Sequence, residues 1–193
     1  AWANPVAGSS LMLGFLLWLT DTPYEEFFAG AQFVHFLLGP ATIALGVTVI
    51  EHGKAVRRQI VPVAGALVVG VLVSVGTTWA LCHAAGLNDV ITLSLLPKSA
   101  TAPVAMGVSE AVGGIASISM CAVLLTGITG AVIVTPLFNL FRFRNWSARG
   151  FAAGLTAHGI GTARAYQVSN EAGVYAALAL ALAALLQGIL LPL

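Results

Sequence analysis

Two short stretches put side chains able to hold an anion inside otherwise apolar sequence. The first is Leu95-Leu96-Pro97-Lys98-Ser99-Ala100-Thr101-Ala102-Pro103, within a run from Val90 to Ser109 whose only charge is Lys98. The second is Thr156-Ala157-His158-Gly159-Ile160-Gly161-Thr162-Ala163-Arg164, between Arg149 and Glu171. Each combines helix breakers, hydroxyls and one fixed cation. A charge at bilayer depth costs about 2.5–3.5 kcal/mol on insertion scales, so it faces a partner, a cavity or a substrate. Interrupted helices at that depth are tolerated only where they are buried in protein or line water.

The chemistry these residues suit is carboxylate binding. Lys98 and Arg164 are the fixed cations of the two stretches, and Arg can hold a carboxylate through two parallel bonds. Ser99, Thr101 and Thr162 supply hydroxyls beside breaks where half-helix N-termini would present free N–H groups. Pro97, Pro103, Gly159 and Gly161 are the expected helix breaks. His158, which titrates near neutral pH, is a candidate for proton coupling, and Glu110 is a second. Each residue also has a plainer role: snorkelling for Lys98 and Arg164, packing for His158, backbone bonding for the hydroxyls, close helix contact for Gly159 and Gly161 and a solvated loop for Glu110. Ser99 beside Lys98 makes a poor nucleophile–base pair, because neighbours on a helix point about 100° apart and no third group orients them. No enzymatic activity is expected.

The elements that carry these residues belong to a membrane protein. Of 193 residues, 59% are hydrophobic and 8% charged, with mean hydropathy +0.96, against about 25% charged in soluble domains. A net charge of +1 without a basic face excludes nucleic acid as a partner. Cys82 and Cys121 sit in apolar runs without metal-type spacing. Neither a metal nor a cofactor is expected. Ala1-Trp2-Ala3-Asn4-Pro5 lacks an initiator Met and a basic n-region, so it reads as a processed or cut end rather than a signal peptide.

Apolar segments run from Val6 to Thr20, Gln32 to Ile50 (with an expected kink at Gly39-Pro40), Ile60 to Cys82, Ile115 to Phe141 and Val174 to Leu193. Gly113-Gly114 is an expected turn, and Ser147 an expected helix cap. Two loops are basic, Glu51–Gln59 and Arg142–Arg149, and both should face the cytoplasm. The stretch 90–113 must then begin and end outside, as a re-entrant hairpin turning at Pro97–Pro103. The second stretch would dip from the inside, turning at His158–Thr162. The alternative is a single crossing by 90–113, which would put Arg142–Arg149 outside. The expected fold is an all-α polytopic bundle in one domain, 1–193, with two oppositely oriented hairpins. Units 60–113 and 115–173 would form an inverted repeat with a site at the midplane.

Three motifs resemble one family. Phe36-Leu37-Leu38-Gly39-Pro40-Ala41-Thr42 is the first; Leu95 to Ser99 continuing through Ala105-Met106-Gly107-Val108-Ser109-Glu110 is the second; Ala157 to Arg164 is the third. In that order they are similar to the LrgB/CidB membrane proteins, over about Asn4 to Leu193. The family usually has a further helix upstream, so an N-terminal segment is expected to be missing here. Relatives often have other small or hydroxyl residues where this chain has Ala100 and Ala102. The resemblance implies a multi-pass protein of a bacterial inner membrane, or of the plastid envelope in a plant. It implies a small LrgA/CidA-type partner and a homodimer or higher oligomer. Members of that family are described as antiholin-like or holin-like modulators of murein hydrolase activity and autolysis. Others are linked to pyruvate uptake or, as a plastid LrgA–LrgB fusion, to glycolate and glycerate. Paired breaks with buried cations favour transport of such monocarboxylates.

Overall fold

The computed structural model describes residues 5–23, 25–33, 36–37, 40, 47 and 59–193, all of whose regular structure is helical. The loop 51–58 and Gly39 of the expected kink lie outside the described residues, as does most of the first motif. Helix α1 (Pro5–Leu19) has 15 residues. It is about 22 Å long, shorter than a hydrocarbon core of about 30 Å. Among the described residues, three helices are long and apolar enough to cross: α2 (Ile60–Ala84), α5 (Ala116–Leu140) and α7 (Asn170–Leu190), with mean hydropathy 2.3, 2.1 and 2.0. The protein is an integral membrane protein.

Between the crossing helices lie the two interrupted stretches. Helix α3 (Asp89–Leu95) starts where Asn88 Oδ1 accepts the Ile91 N–H at 2.9 Å. Helix α4 (Ala102–Ala111) follows the turn at 96–101, with Pro103 in its first turn, where a missing N–H costs nothing. Helix α6 (Trp146–Val168) is broken by non-helical backbone at Ala157 and His158. Its N-cap is Asn145, whose Oδ1 accepts the Ala148 N–H, and not Ser147. Ser147 Oγ instead donates to Glu171 Oε1 at the start of α7.

That bond shows what the break does. A Cβ on Gly150 would collide with the Ala172 carbonyl, and one on Gly154 with the Ala176 carbonyl. The two sequences advance together, so the first limb of α6 runs parallel to α7. Beyond the break Tyr166 packs on Gly173, and Ser169 leads directly into α7 as its N-cap. The second limb is therefore antiparallel to α7, and α6 is a hairpin that enters and leaves at one end. Only a hydrogen at 150 and 154 lets the backbones touch, the small-residue packing that membrane helices use in place of hydrophobic drive. Alanines 172, 176, 179 and 183 complete this seam.

Side-chain contacts fix both ends of the bundle. Gln59, Asn145 and Tyr175 line one cleft of about 430 Å³, which groups the starts of α2, α6 and α7. Arg149 bonds Asn139 and the Phe143 carbonyl, bringing the end of α5 there too. Arg142, Arg144 and Arg149 lie at this end. At the opposite end Gly113 turns with φ 84°, and Ser94 Oγ accepts the Ile115 N–H at 2.7 Å. The α3–α4 pair thus opens opposite to the α6 hairpin. The single-crossing alternative is excluded, because the start of α2 and the end of α5 share one end.

Candidate functional site

The first break lies at mid-depth. Ser74 is 14 positions beyond Ile60, about 21 Å along an α2 of about 36 Å. Its hydroxyl bonds that of Ser99, 2% exposed, at 2.8 Å. Pro97 and Ala100 are buried on either side. This hydroxyl pair engages the serine considered above as a nucleophile.

The second break reaches the same depth from the other end. His158 adopts φ 40° and ψ −134°, a conformation with a cost of order 1–3 kcal/mol outside glycine. Its ring holds it there: Nε2 lies 2.8 Å from the Val123 carbonyl of α5. Gly127, one turn along α5, leaves the space the ring occupies, since a Cβ there would overlap Cε1 and Nε2. Val123 also packs against Ala100 and Ala105, which flank the first break. One residue of α5 therefore touches both breaks, through its side chain on one and its carbonyl on the other. The helical limbs that leave the breaks, α4 and 159–168, both have their N-termini at this level. Their partial positive charges face the bundle centre from opposite sides.

The predicted site residues divide into several groups. Lys98 is half-buried, lies in electrostatic reach of Cys82 and has no ion pair among the described residues. Thr101 stands at the N-cap of α4, yet its buried Oγ1 makes no hydrogen bond. Thr162 Oγ1 donates to the His158 carbonyl at 2.8 Å and so braces the second break. Arg164 is not brought to Lys98. It lies about 9 Å past the break toward the basic end, partly exposed, donating to Gln167 Oε1 at 3.2 Å. Glu110 is exposed near the end of α4. Pro97 and Pro103 do flank the first break. Gly159 and Gly161 do not form the second: Gly159 borders open space, Gly161 packs on Ala153 and Ala157, and the turning residue is His158.

Several polar groups escaped the reading of the sequence. Ser94 accepts from Ile115, donates to the Val90 carbonyl and offers its own carbonyl to Ser119 Oγ at 2.6 Å, tying the first hairpin to α5. Buried Arg149 bonds Asn139 Oδ1 at 2.9 Å and lies over the Trp146 and Phe138 rings, closing the end of α5. Gln187 of α7 is 0% exposed with neither amide atom bonded. A single polar side chain in the apolar run from Ala176 to Leu190 was the available signal for Gln187.

Comparison with known proteins gives a consistent result. The LrgB-like family model matches residues 1–193. YwbG of Bacillus subtilis is 30% identical over 185 residues, 96% of this chain and 82% of that protein. YxaC of the same organism is 30% identical over 183 residues, 94% of this chain and 79% of that protein. The holin-like protein CidB of Staphylococcus aureus is 24% identical over 189 residues, covering 98% and 82%. No solved structure matches.

Proposed function

The chain belongs to the LrgB-like family over its whole length, and from that premise we propose that it carries small 2-oxo or 2-hydroxy monocarboxylates, such as pyruvate, glycolate or glycerate, across a membrane. The observation that supports this most is the meeting of two broken helices at Val123, with a Lys98 in the first break that has no ion pair among the described residues. An unpaired ammonium and a half-helix N-terminus at mid-depth favour a carboxylate over a cation or a neutral solute. In this reading Lys98, Ser99 and the first turn of α4 hold the carboxylate. Arg164 attracts it from the basic end, Thr162 braces the break, and His158 is the group available for proton exchange. Units 60–113 and 115–173 act as inverted halves, alternately opening the site to each side. The protein works in a bacterial inner membrane as a homodimer, with a small LrgA/CidA-type partner.

Counterflow of labelled pyruvate and glycolate into proteoliposomes, with and without the partner, tests this. Saturable uptake should be lost in Lys98→Ala and partly kept in Lys98→Arg, while Arg164→Ala should raise the apparent KM. Normal uptake by well-inserted Lys98→Ala would remove Lys98 from the site. A second reading follows from the similarity to CidB, a holin-like protein: an oligomer that regulates murein hydrolase activity and autolysis by altering the membrane. Leakage of solutes regardless of charge and size would favour it.

A further inference from the structure

From Ala172 to Leu186, helix α7 has no polar side chain except Tyr175; then comes Gln187. Its side chain is fully buried, and neither Oε1 nor Nε2 makes a hydrogen bond. A buried amide left unpaired costs about 1–3 kcal/mol per group, and polar groups inside membrane bundles normally bond a neighbouring helix.

Its position is fixed by contacts. Gly150 meets Ala172 and Gly154 meets Ala176, so the break at His158 is level with about Leu180. Gln187 lies about 10 Å farther from the basic end. The α6 hairpin has ended there, and the α7 face that buries Ala176 and Ala183 continues past its tip. Beside Gln187, a Cβ on Gly188 would lie 3.6 Å from Val104 Cγ1 in the first turn of α4. Thr101, three residues before Val104 and so about 4.5 Å nearer the basic end, carries another orphaned oxygen. Along α2, Gly70 meets Leu155 and Ser74 bonds Ser99, which places the backbone of Lys98, just before Ser99, about 9 Å nearer the basic end than Gln187, a gap its long side chain narrows by extending within electrostatic reach of Cys82 farther along α2. An unbonded buried amide, an unbonded buried hydroxyl oxygen and the N-terminus of α4 thus lie on neighbouring segments.

We propose that Gln187 is the specificity residue of this site, bonding the oxygen on carbon 2 of a monocarboxylate whose carboxylate is held by Lys98 and the first turn of α4. The inference rests on the transport reading. An amide both donates and accepts, so its NH2 serves a 2-oxo group and its Oε1 a 2-hydroxyl. An acid with a plain methylene at carbon 2 leaves both amide atoms unbonded. Sites built to bond an oxygen reject analogues lacking it far more strongly than apolar pockets reject an added one.

Pyruvate, lactate and propionate share one carbon skeleton and differ only at carbon 2. Unlabelled lactate and propionate would compete against labelled pyruvate counterflow into proteoliposomes holding the full chain. Wild type, Gln187→Met and Gln187→Leu would be compared; the two replacements differ in shape, so a folding defect in one leaves the other. Lactate should outcompete propionate by about tenfold or more in wild type, and the two should become nearly equal in the variants. A merely structural role would weaken both competitors alike. Saturable wild-type uptake with unchanged lactate preference in the variants overturns the role of Gln187 and leaves transport standing. So does complete loss of uptake in both folded variants, because the carboxylate contacts alone should sustain it. Absence of saturable uptake in wild type overturns both readings.

Discussion

Replacing His158 by glycine and by alanine separates a true helix break from a bent helix. In an unbroken helix glycine is worse than alanine by about 0.8–1.0 kcal/mol. At position 158 φ is 40°, where a Cβ costs about 1–3 kcal/mol. Alanine keeps that cost and glycine removes it. Subtracting the helix penalty of glycine, the Gly variant should be more stable than the Ala variant by roughly 0–2 kcal/mol. Both lose the ring bond to the Val123 carbonyl, worth about 0.5–1.5 kcal/mol, so both should fall below wild type. At about 2–4 °C per kcal/mol for a chain of this size, His158→Gly should melt up to about 4–8 °C above His158→Ala. Thermal unfolding in detergent, followed by tryptophan fluorescence, reads the difference. An alanine variant melting higher than the glycine one would refute a positive-φ break at His158.

Gly127→Ala should destabilise wild type by about 1–3 kcal/mol, because its Cβ overlaps the His158 ring. In a His158→Ala background most of that loss should vanish, and a double-mutant cycle in thermal unfolding measures the coupling. Arg149→Lys should lower stability by about 1.5–3 kcal/mol, since an ammonium cannot reach the Asn139, Thr135 and Phe143 acceptors together while lying on the Trp146 ring. Thermal unfolding reads that loss as well. With the native cysteines replaced, cysteines at Ser147 and Glu171 should cross-link through a short bifunctional thiol reagent, and both should react with an impermeant reagent from the same side. Labelling of the pair from opposite sides would overturn the α6 hairpin.

The location of both breaks could be read from the sequence because helix breakers and lone cations stand out in apolar runs. Loop charge also placed the two basic loops on one side, and Gln59 and Asn145 do share one end. The residue that turns the second break could not be read. Gly159 and Gly161 looked like the flexible positions, whereas the turn falls on His158 because its ring has a carbonyl 35 positions away to hold and a glycine to make room. Such a contact leaves no local trace. Arg164 and Lys98 looked equivalent by type, but counting from the break puts Arg164 on the rising limb, where its guanidinium meets Gln167. Ser147 had the composition of a cap, yet Asn145 two residues earlier took that place and released Ser147 to bridge the hairpin mouth.

The shared contact at Val123 has an electrical side. Two hairpins that open to opposite faces and meet at one residue leave little more than their own tips as insulation between the two solutions. On the transport reading the membrane voltage falls mostly across those tips. Moving one charge through the full drop is worth about 2.3 kcal/mol per 100 mV. A bare monocarboxylate would then be driven outward by an inside-negative potential and held back on entry. Lys98, being fixed, does not move through the field and cannot offset this. Net accumulation would require a proton or another cation to travel with each anion, whereas one-for-one exchange of two monocarboxylates would run without regard to voltage.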